Sequence, residues 1–384
     1  MVKILFTLII ACIFLFPWQQ AHAVENPLAV ANNKVGVHLL DPSELENAAE
    51  LINSSGGDWG YVIVPIQAGD KDIIKWQKFM NDCKKLHVIP LIRLATEGDH
   101  FNTQVWREPT YLDVIDFANF LNSLEWPTKN RYIVVFNEVN RADEWGGQAD
   151  PKEYAQILGF SVSIFKSKSQ DFFMISAGMD NAAPEQGTVY MNQYNYLKRM
   201  NEAVPGIFNQ VDGISSHSYP NPAFARPPDT ESTMGTGSFI HERALINTMT
   251  KKNLPVFITE TGWSAEEVTE EMRVRYYEEA FKNVWSDNGV VTVIPFLLRA
   301  GAGPFEKFTF ITADGYKTKQ YEMIKNMKKV KGVPSLPTRV LAAETSSIDS
   351  DSSDLRDFSD YQKYQRSISL RETMQNIFNY LIGN

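Results

Sequence analysis

Tyr132-Ile133-Val134-Val135-Phe136-Asn137-Glu138-Val139-Asn140 is the stretch on which the fold of this 384-residue chain turns. Its first five residues are apolar or aromatic without a polar break, the pattern of a strand covered on both faces. The run then stops on a polar pair, Asn137-Glu138. A similar arrangement recurs at Val256-Phe257-Ile258-Thr259-Glu260-Thr261-Gly262-Trp263. Glu138 and Glu260 are 122 residues apart, room for about three strand–helix units of roughly 40 residues each. In a (β/α)8 barrel, residues at the C-terminal strand ends face one common mouth.

Working outward, six more strand-like runs complete a set of eight. They are Val35–Leu39, Tyr61–Ile66, Val88–Leu94, Phe172–Ala177, Val211–Ser216 and Val290–Leu298. Helical patterns lie between them. Pro42-Ser43-Glu44-Leu45 opens one with a proline in its first turn. Ile73–Leu86, Pro151–Phe165 and Met272–Trp285 read as three others. The expected fold is therefore α/β: a single (β/α)8 barrel over residues 34–332. A doubly wound open sheet is the rival, but no glycine-rich dinucleotide fingerprint follows the first strand. Residues 343–357 are rich in serine and aspartate and read as a linker. Residues 358–384 have helical spacing of Phe358, Tyr361, Tyr364, Ile368, Ile377 and Leu381, a tail suited to docking or self-association.

The N-terminus carries targeting features. Lys3 precedes the apolar run Ile4–Phe16, and Ala21-His22-Ala23 matches a cleavage site, so residues 1–23 are expected to be a signal peptide. The run is short for a membrane span. The expectation is a secreted or extracytoplasmic protein with no membrane span after cleavage. Cys83 is then the only cysteine of the mature chain and reads as apolar helix filler rather than a disulfide partner. A net charge of −9 argues against nucleic-acid binding. No paired cysteine motif, His-Glu-x-x-His, phosphate loop or nucleophile-elbow serine is present, so no metal and no cofactor is expected.

Two glutamates meeting at a barrel mouth are the equipment for cleaving a glycosidic bond. Glu138 fits a general acid/base, which a partly desolvated cleft beside a second carboxylate would favour. Glu260 fits a nucleophile, ionised and held by donors. Asn137 is placed to bond a sugar hydroxyl. Arg93 closes the strand Val88–Leu94, where a cation would either hold Glu260 ionised or form an ordinary interior ion pair. His38 ends the first strand. His217 and Tyr219, in Ser216-His217-Ser218-Tyr219-Pro220, end another. Trp106, Trp145 and Trp263 are candidate sugar-stacking faces, Trp263 and Trp145 the best placed. The single-residue alternatives are ordinary: a capping glutamate, a structural histidine, a core tryptophan.

With these residues, the chain over about residues 34–330 resembles the clan A glycoside hydrolases, retaining (β/α)8 enzymes, nearest to the cellulase-type family five pattern. The resemblance rests on Asn137-Glu138, His217-Ser218-Tyr219 and Glu260-Thr261-Gly262-Trp263. It implies an acid/base at Glu138 after strand four, a nucleophile at Glu260 after strand seven, and Tyr219 bonded to that nucleophile with His217 ordering the site. It implies an O-glycosidase acting on a poly- or oligosaccharide by double displacement. The chain departs from the pattern in three places. Strand two has no arginine, leaving Arg93 on strand three as a substitute. Val139 stands where a proline is usual. No tryptophan follows strand eight, which reads Pro295-Phe296-Leu297-Leu298-Arg299. These departures keep a second expectation open, a non-catalytic carbohydrate-binding barrel on the surface. A barrel enzyme of another class, such as a lyase, is a third, but the strand ends offer no clear metal set, lysine base or phosphate site.

Overall fold

The computed structural model describes residues 24–96 and 105–337. The signal-peptide, linker and tail readings (1–23, 343–357 and 358–384) lie outside the described residues. All eight expected strands form: β1 (Gly36–His38), β2 (Gly60–Gln67), β3 (Val88–Ala95), β4 (Arg131–Val135), β5 (Phe172–Ser176), β6 (Ile214–His217), β7 (Val256–Thr261) and β8 (Val290–Pro295). Every pairing is parallel, in the orders β1-β2-β3-β4-β5 and β6-β7-β8. Two parallel bridges join these sheets at both seams, Ile175 to Gly213 and Val35 to Val293. The strands thus run as a closed ring. β6 starts later than the sequence suggests, at Ile214, because Asp212 and Gly213 both donate to the Met174 carbonyl at the seam.

Nine α-helices are described: α1 (Leu45–Ile52), α2 (Ile73–Leu86), α3 (Tyr111–Ser123), α4 (Pro151–Lys168), α5 (Gln193–Ala203), α6 (Ile207–Gln210), α7 (Ser238–Ile246), α8 (Glu270–Glu279) and α9 (Lys319–Asn326). Their starts follow from local chemistry. Asp72 accepts from the Ile74 and Lys75 amides, Thr110 and Asp113 form a capping box, and Asp150 caps α4 ahead of Pro151. Each such cap stabilises its helix by about 1 kcal/mol. The expected helix Met272–Trp285 splits: α8 ends at Glu279 and passes into a π turn over Ala280–Val284. No described helix is long and apolar enough to cross a membrane.

The apolar residues divide into two layers. Val62, Val64, Ile92, Ile133, Val135 and Ile258 face outward against the helices, with Trp76, Phe117, Phe160 and the buried Cys83. The alternate residues Tyr61, Ile63, Ile89, Leu91, Tyr132, Val134, Phe173 and Phe257 fill the barrel interior. This alternation is the period-two consequence of a strand with two covered faces. Beneath, Val24 and Leu28 pack against the interior cluster. There the Asn130 side chain donates to the Glu25 carbonyl and the Lys129 amide donates to the Ser335 carbonyl. The interior is thus filled below, and the two strand-end glutamates gather at the opposite, C-terminal end.

Candidate active site

β4 delivers Glu138 through a sharp reversal. Phe136 (φ +70°) and Glu138 (φ +37°) both adopt left-handed backbone, which costs a non-glycine residue on the order of 1–3 kcal/mol. The Glu138 amide donates to the Gly178 carbonyl at 2.9 Å and its carbonyl accepts from the Arg141 amide. The side chain is turned into the mouth, where Oε2 accepts from Arg141 Nη1 at 3.3 Å and Oε1 lies 2.9 Å from His217 Nδ1.

β7 delivers Glu260 from within the strand. Its Oε1 accepts from Arg93 Nη1 at 2.5 Å and its Oε2 from the Tyr219 hydroxyl at 3.0 Å. His38 Nε2 lies 3.7 Å from Oε1, and His217 Nδ1 lies 3.8 Å from Oε2. Burial alone would raise this carboxyl's pKa. The positive fields of His217, Arg93 and His38, with the Arg93 hydrogen bond, outweigh it and hold the pKa at about 2. Burial lowers the pKa of His217, but Glu260 and the hydrogen bond to Glu138 overcome this and raise it. Burial and the neighbouring Glu260 and Glu138 carboxylates push the Tyr219 hydroxyl well above its ordinary value, so it stays a donor.

The two carboxylates meet. One oxygen of Glu138, one of Glu260 and a ring nitrogen of His217 lie within 4.8 Å of one another. Glutamate oxygens and an imidazole nitrogen are also metal-ligand types. Here, however, Arg93 already occupies Glu260 Oε1 and Arg141 approaches Glu138 Oε2, and two guanidinium charges disfavour a cation.

His217 fits between the glutamates because residue 178 is glycine. A Cβ there would come within 2.2 Å of the imidazole Cδ2 and 2.5 Å of Nε2. Behind the ring, Ser216 donates to the buried Glu242 of α7 at 2.9 Å, and Ser216, Ser218 and Ser238 form a hydroxyl chain. Burial raises the Glu242 pKa to about 7. This network pins the segment that carries both His217 and Tyr219. Gly178 and Glu242 are absent from the sequence reading, since nothing local marks them.

Asn137 bridges the site's first arginine to a third acid. Its Oδ1 accepts from Arg93 Nη1 at 2.9 Å, and its Nδ2 donates to Glu144 Oε2 at 3.3 Å. Arg93, Asn137, Glu138, Arg141, Glu144 and Glu260 line a cleft of about 190 Å³ that also touches Trp106, Phe296 and Phe305. Arg93 reaches Glu260 from strand three. Phe296 occupies the end of β8 where the resembled pattern has tryptophan, edge-on to His38 at 4.9 Å.

The tryptophans require correction. Trp263 is 1% exposed. Gly262, at φ +156°, carries the chain past the strand end, and the indole turns back among Tyr276, Tyr277 and Trp285, donating to the Arg226 carbonyl. It is core and offers no sugar face. Trp145 borders the cleft but is also 1% exposed, wedged edge-on between Phe136 and Tyr154 and bonded to Glu153. It is wall rather than platform. Trp106, half-buried on the rim, is the tryptophan left to the cleft.

No protein-family model and no curated protein matches this sequence. Solved structures do. The chain is similar to a family 39 glycoside hydrolase from Bacteroides cellulosilyticus WH2 (TM-score 0.53, 14% identity, covering 79% of this chain and 65% of that one). It is also similar to a GH39 β-xylosidase from Caulobacter crescentus (TM-score 0.55, 14% identity, 77% and 72%). A third is a GH5_18 protein from Streptomyces cattleya in complex with GlcNAc (TM-score 0.55, 14% identity, 77% and 79%). The chain spans a little under two thirds of the length of the first of these. At such identities the likeness is one of fold: this chain has the α/β architecture of the TIM-barrel glycoside hydrolases, as its strand-end motifs led us to expect.

Proposed function

We propose that this chain is an exported glycoside hydrolase that cleaves an O-glycosidic bond of an oligo- or polysaccharide with retention of configuration. One observation carries the reading: a Glu138 oxygen and a Glu260 oxygen lie within 4.8 Å of each other, in differently supported surroundings at one barrel mouth. Retaining enzymes keep their two carboxyl groups about 5–5.5 Å apart, whereas inverting ones leave about 6.5–9.5 Å for a water, and so close an approach of one oxygen pair favours the shorter spacing.

Glu260, ionised by Arg93 and its neighbours, attacks the anomeric carbon. Its carbon–oxygen bond forms as the bond to the leaving oxygen breaks. Glu138 delivers a proton to that oxygen, drawn from the Nδ1···Oε1 contact it shares with His217. In the second step Glu138 takes a proton from water, the water oxygen bonds the anomeric carbon, and Glu260 is released. Tyr219 keeps Glu260 Oε2 in line. Asn137, fixed by Arg93, presents its amide where a 2-hydroxyl would strengthen its bond in the transition state. Phe296, Phe305 and Trp106 supply the apolar surface a sugar ring packs against.

The test is to substitute each glutamate. Glu260→Gln is expected to lower kcat by about 10⁴-fold or more, since it removes the bond-forming atom. Glu138→Gln is expected to cost about 10²–10⁴-fold, least for substrates with good leaving groups. Circular dichroism and melting should show both variants folded. Normal turnover in either would refute the assignment. Sugar binding by the native chain with no turnover across a broad glycan panel would favour the carbohydrate-binding barrel instead. For export, support comes from Lys3, Ile4–Phe16 and Ala21-His22-Ala23. N-terminal sequencing of secreted protein should begin at Val24.

A further inference from the structure

We propose that Glu144 is a substrate-binding carboxylate that accepts hydrogen bonds from a neutral glycosyl ring seated over Asn137, and so selects uncharged sugars over uronic acids. The proposal rests on the glycosidase reading above and adds a residue and a substrate class to it.

Glu144 lies six residues past Glu138, at the end of the short 3-10 turn Ala142–Glu144. It lines the same cleft as Glu138, Asn137, Arg93 and Glu260. The one hydrogen bond its side chain makes among the described residues is the 3.3 Å contact from Asn137, long for an amide bonded to a carboxylate. Glu144 is half-buried, and a carboxylate partly withdrawn from water ordinarily has a cation or several donors. The nearby cations are committed elsewhere. Arg93 holds Glu260 and Asn137. Arg141 holds Asp143 at 2.6 Å and reaches Glu138 and Asp180. Arg107, also on the cleft, pairs with Asp113. Glu144 therefore keeps most of its acceptor capacity for what enters the cleft.

Hydroxyl groups suit that vacancy, because a carboxylate accepts from two adjacent hydroxyls and Asn137 alongside orders the same ring. A uronic acid does not suit it. Its carboxylate would bring acceptors rather than donors to the Glu144 oxygens, while the guanidiniums lining the cleft are already bonded to Glu260, Asp143 and Asp113. The charged groups acting on Glu144 are Glu138, Arg93 and Arg141. Burial and Glu138 raise its pKa to about 7 against the opposing pull of Arg93, Asn137 and Arg141. As pH falls through about 7, Glu144 gains a proton and loses acceptor sites, so substrate binding should weaken on the acid side.

The experiment compares the native chain with Glu144→Gln and Glu144→Asp. Xylo-, cello- and manno-oligosaccharides and oligogalacturonate serve as probes, with reducing-end release as the readout. Binding of the same probes to the Glu260→Gln chain is followed by calorimetry, with and without Glu144→Gln. On the best neutral probe, Glu144→Gln should raise KM about tenfold with kcat nearly unchanged, the signature of lost ground-state binding, and should weaken calorimetric binding equally. The rise of KM below pH 7 should be present in the native chain, absent in Glu144→Gln and restored in Glu144→Asp. The preference for neutral over uronic probes should shrink about tenfold. An unchanged KM and pH profile in Glu144→Gln, a loss confined to kcat, or a native preference for oligogalacturonate overturns this proposal and leaves the glycosidase reading standing. A native chain that turns over no probe and binds none overturns both.

Discussion

The ends of β4 and β7 carry the same side chain in opposite settings. Glu260 is 6% exposed and sits among Arg93, Tyr219, His38 and His217, all directed at its two oxygens. Glu138 is half-buried, rises on a strained left-handed backbone, and has two partners, Arg141 and His217. One glutamate is held as an anion near the end of β7, where the register shifts against both neighbouring strands. The other is held by fewer donors. His217 lies 2.9 Å from Glu138 and 3.8 Å from Glu260, so one imidazole stands between the two carboxylates. Residue type alone does not divide the labour; the donors around each carboxylate do.

The comparison breaks most sharply at Arg93. Replacing it with alanine leaves Glu260 buried without its strongest hydrogen bond. Removing one member of a buried ion pair typically destabilises by about 3–5 kcal/mol. The Glu260 pKa should climb from about 2 towards its ordinary value, with His217 and His38 left to oppose burial. If Glu260 is the nucleophile proposed here it must be ionised, so the acid limb of kcat/KM should move up from about pH 2 towards 4.5. A pH–rate profile and a melting curve check both. An unmoved acid limb would mean that Arg93 is an ordinary structural cation.

A second variant acts on the link itself. Gly178→Ala would place a methyl within 2.2 Å of His217 Cδ2, forcing the ring off Glu138. Overpacking of this kind costs about 1–3 kcal/mol, and kcat should fall about tenfold or more while Glu260 keeps Arg93 and Tyr219. A structure of the variant with His217 unmoved would show the two glutamates to be less tightly linked than their contacts indicate.

The smallest effect is expected behind the site, at Glu242. Its folded pKa of about 7 exceeds the ordinary 4.5, so between those values the folded state binds more protons than the unfolded. Stability contributed by this group is therefore present below about pH 4.5 and is lost as pH rises through about 7. Glu242→Gln should flatten that decline, by on the order of 3 kcal/mol at pH 8, with kcat changed severalfold at most. Melting temperature from pH 5 to 8 measures it. A steeper decline in the variant would place a charged Glu242 in the native state instead.

Much of this protein was legible along its chain. The eight strands stand out because a parallel strand covered on both faces is a continuous apolar run, a property of consecutive residues. Glu138 and Glu260 are legible for the same reason, being the polar residues at which two such runs stop. Arg93, His38, His217 and Tyr219 also end strands, and the closed ring brings all four to Glu260. The misreadings fall where direction matters more than position. Trp263 follows Glu260 by three residues, yet the backbone at Gly262 turns the indole into the core. Trp145 follows Glu138 closely and is sealed into the wall.

The sequence by itself determined the strand–helix alternation, and with it the fold, because hydrophobic periodicity is a local signal. It also determined which residues end the strands. Only the tertiary structure decided what surrounds each of them. The Arg93 bond to Glu260, the place made for His217 by Gly178, the carboxyl of Glu242 behind it and the under-paired Glu144 all join residues distant in the chain or turned by loops. Their chemistry comes from burial and from charges a few ångströms away, and neither exists until the ring has closed.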